Sequence, residues 1–177
     1  YMGAAIEQLI GKTEVTIANF GVELSAVEVS AERAPLIYSN RMHEPLYQID
    51  QIILQAATFL TNHPGWILHL AASGSQTTKL QELAQQNLPN GSHEFLGFQT
   101  GADNQRNYLA AQVYVSIPTT DGTSISLLEA MAYGCIPIVS DLPANREWIE
   151  HGKNGLITSG DLSKDLALAL TLNIHQV

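Results

Sequence analysis

Cysteine occurs once, at Cys135, so the chain offers no internal disulfide and no cysteine-built zinc site. A reducing compartment suits that usage, and Cys135 reads as a small core residue rather than a nucleophile. Positive charge is nearly as scarce: 8 lysines and arginines stand against 17 aspartates and glutamates, a net −9. Nucleic-acid binding rests on neutralising phosphates, and a polybasic hold on anionic lipid needs clustered lysines, so both are disfavoured. No apolar run approaches the roughly 20 residues of a membrane-spanning helix. The amino terminus lacks the charged-then-apolar build of a secretion signal. The six histidines include no pair at helical spacing beside a carboxylate, which argues against zinc. There is no Gly-x-Ser-x-Gly elbow, no P-loop and no Gly-x-Gly-x-x-Gly, so dinucleotide redox chemistry has no support.

What is present centres on residues 116–141. The run 113–117 alternates like a buried strand and stops at Pro118. A turn-rich loop holds Asp121 and Gly122; Ser124 then caps a helix over 125–133, which Gly134 stops. Residues 136–139 form a further short strand. A strand, a glycine-containing loop and a helix start make an anion site, because free backbone N–H groups and the helix dipole point the same way. Glu129 is that helix's one charge.

Elsewhere the spacing predicts helices over 2–10, 47–62, 77–87, 104–112 and 144–150, and a last one capped by Asp161. Strands are expected over 14–18, 35–38, 66–71, 94–96 and 156–158, with a polar connector over 25–34. Strands alternating with helices predict an α/β fold: a Rossmann-like parallel sheet with helices on both faces. Ligands of such sheets sit at the carboxyl ends of the strands, so the loops after 35–38, 66–71, 94–96 and 113–117 should meet at one crevice.

Arg41 directly follows a predicted central strand and is the candidate to face an anion there; a plain surface arginine is the alternative. His43 shares its loop. Asp before Gly is ordinary turn chemistry, and Ser126, Glu129 and Tyr133 at helical spacing could be a solvated face. Taken together, a diphosphate on the helix start would put Glu129 beside a ribose and Asp121 beside a sugar, since carboxylates accept paired hydroxyl hydrogen bonds.

The run Asp121-Gly-Thr-Ser-Ile-Ser-Leu-Leu-Glu-Ala-Met-Ala-Tyr-Gly-Cys-Ile-Pro resembles the donor-site signature of group 1 glycosyltransferases of the GT-B fold. Further segments are similar to that family in the right order: 19–23, Ser39-Asn-Arg41, 70–74, Phe95-Leu-Gly-Phe98, and Glu147 with Gly152-Lys-Asn-Gly-Leu156. The resemblance implies the C-terminal, donor-binding domain over 35–177. Residues 1–34 would be the end of a preceding domain and a connector, and the acceptor domain would be absent.

Carried over, the resemblance makes Arg41 and Asp121 the catalytic pair, Arg41 on the pyrophosphate and Asp121 on the donor sugar. Glu129 would hold the ribose, and Gly122, Thr123, Ser124 and Ile125 would surround the distal phosphate and sugar. Gly97 and Phe98 would meet the base through the backbone. It implies transfer from a UDP- or GDP-linked sugar with retention, no metal or other cofactor, and a fragment inactive alone. The partners are then the nucleotide sugar and the protein's own acceptor domain. A cytoplasmic setting is expected, with membrane contact only through that absent domain. Two departures stand out: the first acid is Asp121 where Glu is commoner, and Leu46 stands five residues after Arg41 where the family usually has Lys. The second leaves a non-catalytic nucleotide-sugar-binding domain as the alternative. A GT-B epimerase is disfavoured, because the strand-end loop lacks the Gly-Gly-rich build that class resembles.

Overall fold

The computed structural model describes residues 8–9, 21–22 and 33–172. Six short runs rich in β-branched and aliphatic residues form one parallel sheet. They are β1 (Ala34–Ser39), β2 (Ile67–Ala71), β3 (His93–Gly97), β4 (Ala111–Ser116), β5 (Ile136–Val139) and β6 (Leu156–Ile157), in the order β3-β2-β1-β4-β5-β6. β1 and β4 lie side by side with Ile37 opposite Val113 and Tyr38 opposite Tyr114. The helices are α1 (Ile49–Asn62), α2 (Thr77–Asn87), α3 (Gly101–Ala110), α4 (Ile125–Ala132), α5 (Pro143–Arg146) and α6 (Leu162–Ala169).

Alternation along each strand gives the sheet two different faces. Ile37, Leu68, Leu70, Val113, Val115 and Ile138 point to one side and pack with Ile49, Ile52, Ile53, Ala56, Phe59 and Leu60 of α1, and with α2 and α6. Fully burying each such side chain contributes about 1.5–3 kcal/mol, so this aliphatic layer carries much of the stability. Leu36, Tyr38 and Tyr114 point to the other side, against Tyr108 of α3 and Ala130 and Tyr133 around α4. That second layer carries the hydroxyl groups of Tyr38, Tyr108, Tyr114 and Tyr133.

The expected sheet and helix layers are present, with shifts at element ends. α1 starts at Ile49 rather than 47, because a 3-10 turn (Pro45–Tyr47) and Gln48 at φ +53 precede it. α3 starts three residues early: Thr100 and Asp103 form a reciprocal capping box that satisfies its first amides. It ends at Ala110, where the Arg33 guanidinium donates to the carbonyls of Tyr108 (3.0 Å) and Ala111 (2.7 Å) and feeds the chain straight into β4. The helix expected over 144–150 closes after one turn at Arg146. The expected helix over 2–10, strand over 14–18 and connector over 25–34 lie outside the described residues, apart from Gln8 and Leu9, which are helical, and Arg33 and Ala34.

Gly155, in the Gly152-Lys-Asn-Gly-Leu156 run, sits where a side chain would not fit. A Cβ there would sit 2.6 Å from Pro137 Cγ and 2.9 Å from its carbonyl, so glycine lets the turn before β6 press against β5.

Candidate functional site

The chain leaves β1 toward β2 on one side of the sheet, whereas β4 lies on its other side and leads to β5. Diverging connections open a crevice at the carboxyl ends of β1 and β4, the place where doubly wound sheets bind ligands. Residues 40–48 and 117–124 line it. They are stitched together: Thr119 N donates to Leu46 O at 2.9 Å, and Gln48 Nε2 donates to Ile117 O at 3.0 Å.

Arg41 crosses this crevice. Its Nη1 donates to Ser124 Oγ at 2.8 Å and its Nη2 to Asp121 Oδ2 at 2.7 Å. Its Cζ lies 4.4 Å from the centre of the Tyr47 ring, a cation–π contact that fixes the guanidinium plane. Ser124 caps α4 as expected, accepting from Leu127 N. Asp121 also accepts from Gly122 N at 2.9 Å. Among the described residues, no protein acceptor takes the amides of Thr123, Ser124 or Ile125, so the start of α4 keeps free donors beside the arginine. A Cβ at Gly122 would meet nothing within 4 Å; the space beyond this loop is open.

Glu129 sits one turn into α4 and is half-buried. Its Oε2 accepts from Tyr108 OH at 3.1 Å. The stripe of Ser126, Glu129 and Tyr133 is therefore not a solvated face: it flanks the buried Leu127, Leu128 and Ala130, and Tyr133 stacks on Tyr108 with ring centres 5.9 Å apart. Gly97 turns at φ +65, and its carbonyl accepts from Ala72 N at 2.7 Å. Phe98 is 85% exposed and, with Asn40, Met42, Ala72, Gln99 and Asn104, borders a cavity of about 140 Å³ at the ends of β1, β2 and β3. A larger cavity of about 300 Å³, around Trp66, Pro64 and Pro89, opens at the opposite end of the sheet and has no charged lining. It belongs to none of this chemistry.

His43 anchors the loop. It is fully buried, its Nδ1 lies 3.0 Å from Thr77 Oγ1 and its ring meets the edge of Phe95; burial holds its pKa below the usual value. Gly74 fits under this loop because a Cβ would come within 2.6 Å of both Glu44 Oε1 and His43 O. Leu46 keeps its side chain 38% exposed on the crevice lip. Cys135 is buried, donates to Tyr108 O, and burial pushes its thiol up to about 12. No three or more His, Cys, Asp or Glu cluster among the described residues in a way that could hold a metal ion.

Residues 23–176 match the family described as "Glycosyl transferases group 1". The chain belongs to the group 1 glycosyl transferases. Its sheet and helices have the Rossmann-like form of a C-terminal GT-B domain. Over 80% of its length, and 80% of theirs, it superposes at TM-score 0.70 and 20% identity on the C-terminal domain of the group 1 glycosyl transferase LpcC from Francisella tularensis. The Staphylococcus aureus protein TarM, crystallised with UDP, superposes at TM-score 0.79 and 19% identity, over 96% of this chain and 34% of that one. The pneumococcal O-GlcNAc transferase GtfA, with UDP and GlcNAc, superposes at 0.77 and 20%, over 97% and 36%. An exopolysaccharide phosphotransferase of Streptomyces coelicolor is 31% identical over 130 residues, 72% of this chain and 14% of that protein. This group 1 domain thus spans about a third of TarM and GtfA, and less of the phosphotransferase.

The crevice of this glycosyl transferase domain joins Arg41, Asp121 and Ser124 directly. Glu129 is linked to the loop after β1 through Tyr108 and Asn40, and Phe98 borders the cavity beside Asn40 and Met42. Sequence reading missed Asn40, Tyr47 and Tyr108. A tyrosine six residues after an arginine, or one mid-helix, carries no local signal; only the packing brings them in.

Proposed function

We propose that this domain binds a nucleotide-diphosphate sugar and is the donor half of a retaining glycosyltransferase. One observation carries the reading: Arg41 and the Ser124-capped start of α4 meet across the β1/β4 crevice. A cation and free helix amides converging on one point suit a diphosphate. Breaking the anomeric C–O bond puts negative charge on the leaving phosphate, and fixed donors aimed there lower that barrier without rearranging. Arg41 and the amides of Thr123, Ser124 and Ile125 take that role, with no metal invoked. Glu129 accepts from the ribose hydroxyls, Asp121 from the sugar, and Gly122 lets the sugar approach. The base lies in the cavity beside Gly97 and Phe98. UDP in the crystals of TarM and GtfA favours a uridine donor.

In this reading residues 35–177 form the donor domain and a second, acceptor-binding domain is needed for transfer. The setting is cytoplasmic, with any membrane contact made by that second domain. Calorimetric titration with UDP and GDP, on the native chain and on Glu129→Ala, tests it. Binding by the native chain that Glu129→Ala weakens is expected; no binding of either nucleotide would overturn the donor site.

A second reading, a donor-binding domain without transferase activity, is favoured by Leu46. An apolar side chain stands on the crevice lip where a lysine would reach the phosphates. A lost charge-assisted hydrogen bond of about 1.5–3 kcal/mol costs roughly ten- to a hundredfold. Donor hydrolysis assayed with the acceptor domain restored separates the two readings.

A further inference from the structure

We infer that Tyr108 is a positioning residue for Glu129, tying that carboxylate to the backbone that carries Arg41; the inference rests on the donor-site reading above. Tyr108 lies on α3, 21 residues before Glu129 in sequence, and belongs to no motif of the family signature. It is almost wholly buried. Its ring is held from two sides, by the edge contact with Tyr38 at 5.3 Å and by stacking on Tyr133 at 5.9 Å. The hydroxyl therefore has little freedom.

That hydroxyl accepts from Asn40 Nδ2 at 2.8 Å and spends its single proton on Glu129 Oε2 at 3.1 Å. Asn40 is fixed in turn: its Nδ2 also donates to Asn104 Oδ1, and its Oδ1 accepts from Tyr114 OH at 3.1 Å. Asn104 Oδ1 takes the Tyr38 hydroxyl proton as well. The three tyrosine hydroxyls and the Asn40 amide all have acceptors, which is what makes a buried polar cluster rigid rather than costly. Asn40 is bonded through the chain to Arg41. One hydrogen-bonded path thus joins the ribose-binding carboxylate to the diphosphate-binding arginine and fixes their spacing. Burial raises the Tyr108 pKa far above that of a free phenol, so its proton stays in place throughout the physiological range. Glu129 keeps Oε1 and the remaining lone pairs of Oε2 for a ligand's hydroxyls.

Tyr108→Phe tests this, because it removes the hydroxyl and keeps the ring. Affinities for UDP and for inorganic pyrophosphate are measured by calorimetry on the native chain, on Tyr108→Phe, and on Glu129→Ala with and without Tyr108→Phe, with melting temperatures alongside. The expected result is an about threefold to tenfold loss for UDP in Tyr108→Phe, unchanged pyrophosphate binding, and no added loss in the Glu129→Ala background. Equal UDP affinity in Tyr108→Phe and the native chain overturns the inference and leaves the donor site standing. A parallel loss for both ligands with a lowered melting temperature also overturns it, since that marks a structural role. A native chain that binds neither ligand overturns the donor site and the inference with it.

Discussion

Arg41 and Asp121 are ion-paired across the crevice at 2.7 Å, with the side chains 10% and 21% exposed. The pair links the loop after β1 to the loop after β4. It also means that the guanidinium edge facing the crevice is already engaged by an acid. On the proposed donor-site reading, a diphosphate arriving at Arg41 would meet that acid as a competitor, and a donor sugar would meet it as a hydrogen-bond acceptor.

Asp121→Asn therefore separates the two roles. Removing the charge frees Arg41, and pyrophosphate binding is expected to tighten about threefold to tenfold at low salt, less at high salt. Preference for the nucleotide sugar over the bare nucleoside diphosphate should fall in the same variant. Calorimetry with the three ligands at two salt concentrations checks both directions.

Leu46→Lys is expected to strengthen nucleoside-diphosphate binding by roughly tenfold, because its ammonium would rise from the lip where Leu46 is now exposed. The backbone link from Thr119 N to Leu46 O does not depend on the side chain, so the loop should hold its shape. Titration with UDP reads the gain, and an unchanged affinity would show that the lip lies beyond reach of the phosphates.

Gly74→Ala should loosen the Arg41 loop through His43 and Glu44 rather than through Arg41 itself. The new Cβ would press on His43 O and Glu44 Oε1 at 2.6 Å, and backbone cannot move aside cheaply. A loss of about 1–3 kcal/mol is expected from such overpacking, measured as a shift of the urea midpoint. Ligand binding should weaken with it, since the same loop carries Arg41.

Acid should destabilise the domain before its carboxylates titrate. His43 and His93 have pKa values lowered by burial from the ordinary 6.5. In the unfolded chain each takes up a proton near pH 6.5, while the folded form resists until lower pH. Between those two values unfolding binds protons, so stability is full above about pH 6.5 and falls as pH drops through that window. The lowered carboxyl groups of Glu44 and Asp103 act in the same sense, but below their ordinary values of 4.5 and 3.8. Urea midpoints at pH 7.5 and 5.5 should differ for the native chain and differ less for His43→Gln, which keeps a polar group beside Thr77.

Local chemistry determined a good deal of this protein. Alternation over 113–117, the Ser124 cap and the Gly134 stop predict β4 and α4 to within two residues at their ends, because each depends on neighbours a few positions away. The same reach put Arg41 at a strand end and Glu129 one turn into a helix. Tertiary structure decided what those groups touch. Arg41 meets Asp121 and Ser124 from 80 and 83 residues away, and Asn40 meets Tyr108 from 68. Such contacts exist because β4 pairs with β1 rather than with β3, and strand order follows from how whole helices cover the two faces of the sheet. No periodicity or cap within the chain encodes that choice, so Tyr47, Asn40 and Tyr108 acquire their places in the site only once the layers have packed.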